Sequence, residues 1–337
     1  MSRSLLALAA VTLAALLAVL LVQGGGETDG AGQKPGQRLL PELSGRIKDV
    51  TLLRIVGPGN ATAVTLRRTG DTWSVDERAA YAADAAKLRR LVTDLAGLEV
   101  TEAKTSEPAL YARLGVEDPA LPGAQGLRLE IEGLASPLRV IVGRAAASGG
   151  TYLRRDGDPQ SVEARPPITV DVDPALWLDR RLVALDGRRV QSVAVTPANG
   201  RRYSSERSAA SEANFRLVGI PATRQAYNAA AANPQAQALA AFDVDDVRAL
   251  GASGFPAAAG TLVYRTFDGL VLTIDAAREA DKAWLRVSAS VDSTLNPPAT
   301  VRAEADALSR RTGGYAFAIP AYRLDTLIRP LEDFLGP

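Results

Sequence analysis

Between Asp49 and Pro119 the hydrophobic pattern changes period twice, and the first elements follow from those changes. Apolar runs at Val50–Val56 and Ala63–Arg68 are split by Gly57-Pro58-Gly59-Asn60, a turn cluster that predicts a hairpin. Thr72–Val75, holding Trp73, follows Gly70-Asp71 as a third strand. The period then lengthens. Leu88, Leu91, Val92, Leu95 and Leu98 recur at i, i+3, i+4, i+7 and i+10, one face of a helix, with Arg89, Arg90, Thr93 and Asp94 on the wet face. Asp84 suits its N-cap and Gly97 a left-handed C′ position, with Leu98 folding back on the last turn. The helix is expected to pack on the sheet of the preceding strands.

Alternation returns at Leu127–Glu132 and Leu138–Val142, and Thr151–Arg154 and Ser161–Ala164 complete a second meander, with a hairpin turn at Gly149-Gly150. Trp177–Leu182 reads as a short helix started by Asp173-Pro174. From Arg188 the same order of elements comes round again. Val190–Val195 echoes Val50–Ile55, Arg202–Arg207 echoes the second strand, and Phe215 stands near the place of Trp73. A helix opened by Asn233-Pro234 leads to Phe242-Asp243-Val244, placed beside Leu98-Glu99-Val100. Thr261–Phe267, Leu270–Ile274 and Ala283–Ala289 match the second meander, Val301–Arg310 is a helical insert without counterpart, and Tyr315–Pro320 and Leu324–Leu335 close the copy.

At the other end of the chain, Leu5 to Val22 is an unbroken apolar run preceded by Arg3, and Val22-Gln23-Gly24 is a poor cleavage site. The run favours an uncleaved signal anchor over a cleaved signal peptide or a buried core helix. The expected fold class is therefore α+β: an N-terminal transmembrane helix, then two duplicated modules, each an antiparallel β-sheet with a helix packed on one face. The boundaries are a short cytoplasmic N-terminus at 1–4, a transmembrane anchor at 5–22, a flexible linker at 23–38, and modules at 39–186 and 187–337. Leu39–Leu43 reads as a clasp leading into the folded part.

Composition narrows the chemistry more than it names it. The 337 residues balance 39 Lys and Arg against 38 Asp and Glu, a net charge of +1 that argues against a nucleic-acid binder. Five of the cations are lysines, and seven Arg-Arg pairs are scattered along the chain, read as solvated surface in preference to a phosphate or anionic-lipid patch. With no Cys there are no disulfides, thiolate nucleophiles or Cys metal sites; with no His, the Ser-His and Cys-His dyads and the usual Zn and Fe ligand sets are gone too.

The remaining candidates are acidic or serine-based. Asp171, Asp173 and Asp179, and again Asp243, Asp245 and Asp246, offer hard oxygen ligands, but neither spacing matches an EF-hand loop, and caps and turns explain them better. Lys104 with Ser106 suggests a Ser-Lys dyad; Ser253 sits in Gly251-Ala252-Ser253-Gly254, which falls short of a nucleophile elbow. Lys104 is expected to pair with Glu102 or Glu107. Glu99 with Glu102, and Glu130 with Glu132, are assigned to solvated faces, and no Gly-rich phosphate loop follows a strand. Trp73, Tyr81, Tyr111, Tyr152 and Trp177 are read as core or partner anchors before a sugar-stacking platform. The assignment is no catalytic, cofactor-binding or metal residue.

Trp73, Tyr81, Asp84, Lys87, Glu102, Lys104-Thr105, Leu114-Gly115-Val116-Glu117-Asp118-Pro119, Tyr152-Leu153-Arg154 and Trp177-Leu178-Asp179-Arg180 together resemble the bacterial domain of unknown function 4340 family, found beside gliding-motility-type ABC transporters. The resemblance is densest from Trp73 to Pro119 and implies a membrane-tethered extracytoplasmic protein partnered with transporter subunits. The expected function is a non-catalytic accessory or scaffold protein at the bacterial plasma membrane, held by a single-pass anchor. The alternatives are a binding module for polysaccharide, peptidoglycan or lipid, and a hydrolase with two carboxylates roughly 5–10 Å apart.

Overall fold

The structure, a computed structural model, describes residues 34–251 and 254–336. Two large antiparallel sheets dominate it. The first hairpin forms where the turn cluster places it, β1 (Leu52–Gly57) pairing with β2 (Ala61–Thr69), followed by β3 (Thr72–Val75) and the short β4 (Tyr81–Ala82). The helix α1 (Ala85–Gly97) buries Leu88, Leu91, Val92 and Leu95, the stripe its spacing predicts. Asp84 caps it, its carboxylate accepting from the amides of Ala86 and Lys87 at 3.0 and 2.9 Å. The end differs from expectation. Gly97 stays within the helix and Leu98 leaves in an extended conformation, so the chain runs straight into β5 (Glu99–Ala103) without a left-handed residue.

Strands β6 (Leu127–Glu132), β7 (Leu138–Ala145), β8 (Thr151–Arg155) and β9 (Ser161–Arg165) follow as a meander, and the first sheet has the order β4-β3-β2-β1-β6-β7-β8-β9-β5. The Leu114–Pro119 motif is a packed loop against this sheet. Gly115 takes a left-handed φ of 69° to end the turn at Tyr111–Leu114, and a Cβ on Gly143 would stand 2.4 Å from the Leu114 carbonyl. The Leu39–Leu43 clasp is buried at Leu39, Leu40 and Leu43. Gly36 donates to the Val100 carbonyl and Val100 donates back to Gln37, so this segment covers the outer edge of β5.

The chain then crosses. Leu178–Leu182 is not helical: a single turn at Pro174–Trp177, capped by Asp173, gives way to β10 (Arg181–Val183), which pairs with β14 (Phe242–Asp243) in a two-stranded ribbon. The second sheet is built from β11 (Val190–Pro197), β12 (Tyr203–Glu206), β13 (Arg216–Val218), β15 (Asp246–Ala249), β16 (Gly260–Thr266), β17 (Leu270–Glu279), β18 (Lys282–Val291) and β19 (Tyr315–Pro320), in the order β13-β12-β11-β16-β17-β18-β19-β15. Its main helix, α2 (Ala299–Thr312), lies between β18 and β19 in sequence and buries Val301, Ala305 and Thr312; a shorter α3 (Ala321–Leu327) follows β19.

These observations correct the expected fold class. The described chain is mostly antiparallel sheet rather than two α+β modules behind a transmembrane helix. Asn233–Ala236 makes one helical turn where a full helix was expected, because Pro234 can open a turn but Gln235–Ala241 supplies only Leu239 as a large apolar residue. Phe242-Asp243-Val244 does not take the place of β5; β15 does. No described helix is long and apolar enough to cross a membrane, which leaves the transmembrane expectation without support; Leu5–Val22 itself lies outside the described residues. One hydrophobic cluster runs through both sheets, from Leu53 and Val140 to Leu272 and Phe317.

Candidate functional site

The richest concentration of polar and aromatic chemistry lies on the seam where the outer strands of the first sheet meet β15 and β19 of the second. Tyr81, on β4, is buried with its ring edge-on to Tyr315 at 5.1 Å and to Phe317 at 5.6 Å. Such pairs add about 0.5–1.5 kcal/mol beyond their area. Arg311 of α2 donates to the Tyr81 hydroxyl at 3.1 Å and meets the Asp179 carboxylate at 2.9 Å, while the Tyr315 hydroxyl donates to the Ala79 carbonyl. Burial raises the Tyr81 pKa above its ordinary value, against the pull of Arg311.

Both aspartate clusters weighed for metal lie in or beside this seam, and each aspartate faces a cation. Arg78 Nε donates to Asp246 Oδ1 at 2.5 Å and its Nη2 stands 3.8 Å from Asp173. Arg180 reaches the Val244 carbonyl at 2.7 Å and Asp245 at 2.5 Å; its neighbour Arg181 bonds Asp243. Lys87 bonds Asp171 and sits 4.5 Å above the Trp177 ring, whose indole N–H donates to the Asp171 carbonyl. Among the described residues no group of three or more Asp and Glu side chains converges as a metal site. Three cations at the seam, Arg180, Arg181 and Arg311, belong to Arg-Arg pairs that the sequence assigned to solvated surface, 180–181 and 310–311. The signal that marks Arg180 and Arg181 is the charged run Asp179-Arg180-Arg181 opposite the aspartates of 243–246; Arg311 carries no such local signal.

The other candidates are dispersed. Lys104 pairs with Glu102 at 2.7 Å, as expected, but also with Glu163 at 3.1 Å, and Glu107 is not its partner. Ser148, not Ser106, joins that group by donating to Glu163. Ser253 lies outside the described residues. Glu130 is not on a solvated face: it accepts from Arg54 at 2.7 Å and Arg128 at 3.0 Å. Tyr111 belongs to a small core with Val116 and Ile141, and Trp177 to the main one. Among the described residues Trp73, Tyr111, Tyr152 and Trp177 form no aromatic pair with one another.

The electrostatics have one direction. Hydrogen bonds from Ser148 and Lys104 lower the Glu163 pKa against a modest burial cost. Burial works to raise Glu42 and Glu130, but the guanidinium of Arg155, and those of Arg54 and Arg128, outweigh it and both fall. These carboxylates are held ionised, as acceptors in ion pairs. A general acid needs the opposite, a carboxyl held protonated toward neutral pH.

Several surface clefts among the described residues could admit a small group, and three bear on the candidates above. One at the seam, about 220 Å³, lies between Leu182, Val183, Leu270, Leu272 and Leu308, and its arginines, Arg181 and Arg311, are the ones bound to Asp243 and Asp179. A second, about 350 Å³, opens beside Arg201 and Pro330. The third, about 300 Å³ and mostly apolar, lies between β13 and the arm 226–232.

Against known proteins, the family described as "domain of unknown function (DUF4340)" matches residues 73–261, just over half of the chain. The match begins at Trp73 on β3 and ends on β16, so it takes in β4, β10, β14 and β15 at the seam but not β19 or Arg311 of α2. No curated protein and no solved structure matches the chain.

Proposed function

The chain belongs to the DUF4340 family, and on that premise we propose that it is a non-catalytic accessory or scaffold protein, presented on the extracytoplasmic side of the bacterial plasma membrane to a membrane complex of the ABC-transporter type. The observation that carries this reading is the fate of the acidic clusters. Asp171, Asp173, Asp179, Asp243, Asp245 and Asp246, the best candidates for chemistry in a chain without Cys or His, all face an Arg or Lys in or near the seam. Ion pairs so placed lock two sheets together, which suits a block that offers surfaces to partners. The transporter as partner, and the extracytoplasmic side, rest on the family resemblance carried by Trp73–Pro119 and Trp177–Arg180.

Cross-linking followed by affinity purification of the full chain from its own cells tests the reading. Recovery of transporter subunits above a mock control is the expected result, and their absence removes the transporter assignment. A C-terminal alkaline phosphatase fusion tests the side of the membrane, and an inactive fusion overturns that placement. A concave groove between the halves, lined by aromatic or arginine side chains, would favour the ligand-binding alternative. The seam cleft has the arginines, but both are committed to aspartates, so nothing specific favours it.

A further inference from the structure

The two sheets have four outer edges, and they are not finished alike. The edge of β5 is covered by Gly36–Leu39. The edge of β4 is met by the Ala83–Leu178 bridge and by Asp179, which donates to the Ala82 carbonyl. At β15, the Val247 amide is taken by the Asp246 carboxylate, which also holds Arg78. The fourth edge is β13. In the first sheet the corresponding strand, β3, is followed outward by β4; in the second sheet the order ends at β13.

Hydrogen-bond phase shows what that edge offers. Arg207 donates to the Gln191 carbonyl, so in the β11–β12 register Ser205 faces β11 while Ser204 and Glu206 face β13. Their partners are Val218 and Arg216, which leaves the amide and carbonyl of Leu217 pointing outward. Phe215 has the same phase, and its amide is met from outside by Asn233 Oδ1 at 3.0 Å. Leu217 makes no backbone hydrogen bond beyond its own sheet among the described residues. Beside it lies the apolar cleft of about 300 Å³, walled by Phe215, Leu217, Ile220, Ala226, Ala231 and Ala232.

We propose that this edge is a strand-addition site: an extended, acidic segment of a partner protein pairs with β13 where β4 pairs with β3, places an apolar side chain in the cleft, and sets its carboxylates against Arg216 and Arg202. Main-chain bonds to Leu217 give affinity and the cleft selects the side chain. The charge follows from the arginines. Arg216 and Arg202, whose carbonyl lies against Gly219, are exposed at either end of β13, and neither reaches a carboxylate within ion-pair distance among the described residues. Glu206, opposite Arg216 in register, accepts instead from the Ser204 hydroxyl at 2.5 Å. The site is independent of the transporter reading and stands or falls by its own test.

The test is fluorescence polarisation of the full chain with a labelled, end-blocked peptide, Glu-Val-Ala-Val-Glu, and the same peptide N-methylated on alternate amides. Saturable binding is expected, weakened roughly tenfold by N-methylation, by Ala229→Trp, which fills the cleft from its exposed wall, and by Arg216→Glu. Exchanging the peptide glutamates for lysines should restore binding to Arg216→Glu. Ala229 and Arg216 are exposed, so both variants are expected to keep the wild-type unfolding curve. Absence of binding up to about 1 mM, or binding indifferent to N-methylation and to Ala229→Trp, overturns the proposal. So does light scattering that shows a dimer dissolved by Ala229→Trp, because the edge would then serve a second copy of this chain.

Discussion

The first and second sheets share a strand order and differ in how each is sheathed. In both, an early strand (β1 or β11) is flanked on one side by its following hairpin and on the other by a four-strand meander, and a strand from between them in sequence (β5 or β15) closes the far edge. The helical layers, however, come from different places. α1 precedes β5, whereas α2 is inserted between β18 and β19. A sheet of this order evidently needs an apolar cover but does not dictate which connection supplies it. The first sheet is also complete at its outer strand, and the second is not. Ion pairs and aromatic contacts are concentrated where the two meet, and the unpaired edge is at the end farthest in strand order from that seam.

The largest effect should come from breaking the seam itself. Phe317 is fully buried and packs against Tyr81 and Tyr315. Phe317→Ala should cost about 3–5 kcal/mol, as large aromatic truncations in cores do. Because Phe317 joins the sheets, the variant should also split a single denaturant transition into two. One transition with a loss below about 1 kcal/mol would mean the sheets are not coupled through these rings.

Alkaline pH should separate the halves next. Burial pushes the Tyr203 hydroxyl up to about 12 and raises Tyr264 further, both in the second sheet, whereas in the first sheet burial raises Tyr81 against the opposing pull of Arg311. An unfolded tyrosine ionises near pH 10 (the ordinary value of 10.0), so the unfolded chain releases its proton first. The contribution is complete below about pH 10 and is lost as the pH climbs toward about 12, roughly 2–3 kcal/mol for Tyr203. Trp284 lies on β18 and Trp73 and Trp177 in the first half. The larger part of the emission change in that window should therefore be lost in Trp284→Phe; if it persists unchanged, the first half, through Tyr81, is the alkali-sensitive one.

How much of this was legible in the sequence depends on whether the determinant is local. The Gly57–Asn60 hairpin and the α1 stripe are local, and both form as the pattern predicts. Asn233-Pro234 misled, because a proline marks where a helix can start and says nothing about what sustains it. Trp177–Leu182 misled for a different reason: β10 exists only because β14 pairs with it from 62 residues away, Arg181 to Asp243. The acidic clusters were legible as clusters. Their meaning was not, since the partner of Asp246 is Arg78, 168 residues earlier.

That pairing gives the third prediction. Arg78 and Asp246 are both largely shielded from solvent, and Arg78→Ala leaves the carboxylate without its guanidinium, at a cost of about 1–3 kcal/mol. Arg78→Lys should recover only part, because one ammonium cannot span Asp246 and Asp173 as the planar fork does. Equal stability of the Ala and Lys variants would assign the loss to packing, leaving the charge no share. A double-mutant cycle with Asp246→Asn gives the coupling directly.

The smallest effect tests the helical layers against each other. α1 begins with an aspartate whose carboxylate takes two backbone amides and sits at the positive end of the helix dipole; α2 begins after Pro298 with no side-chain cap. Asp84→Ala should therefore cost about 1 kcal/mol, whereas Asp84→Asn, which keeps the acceptor and loses the charge, should cost a few tenths. Pro298→Ala removes no cap and should leave the start of α2 nearly unchanged. If Pro298→Ala matches Asp84→Ala in an unfolding titration, capping is not what distinguishes the two layers, and the stability of α1 must be assigned to its buried stripe of Leu88, Leu91, Val92 and Leu95 alone.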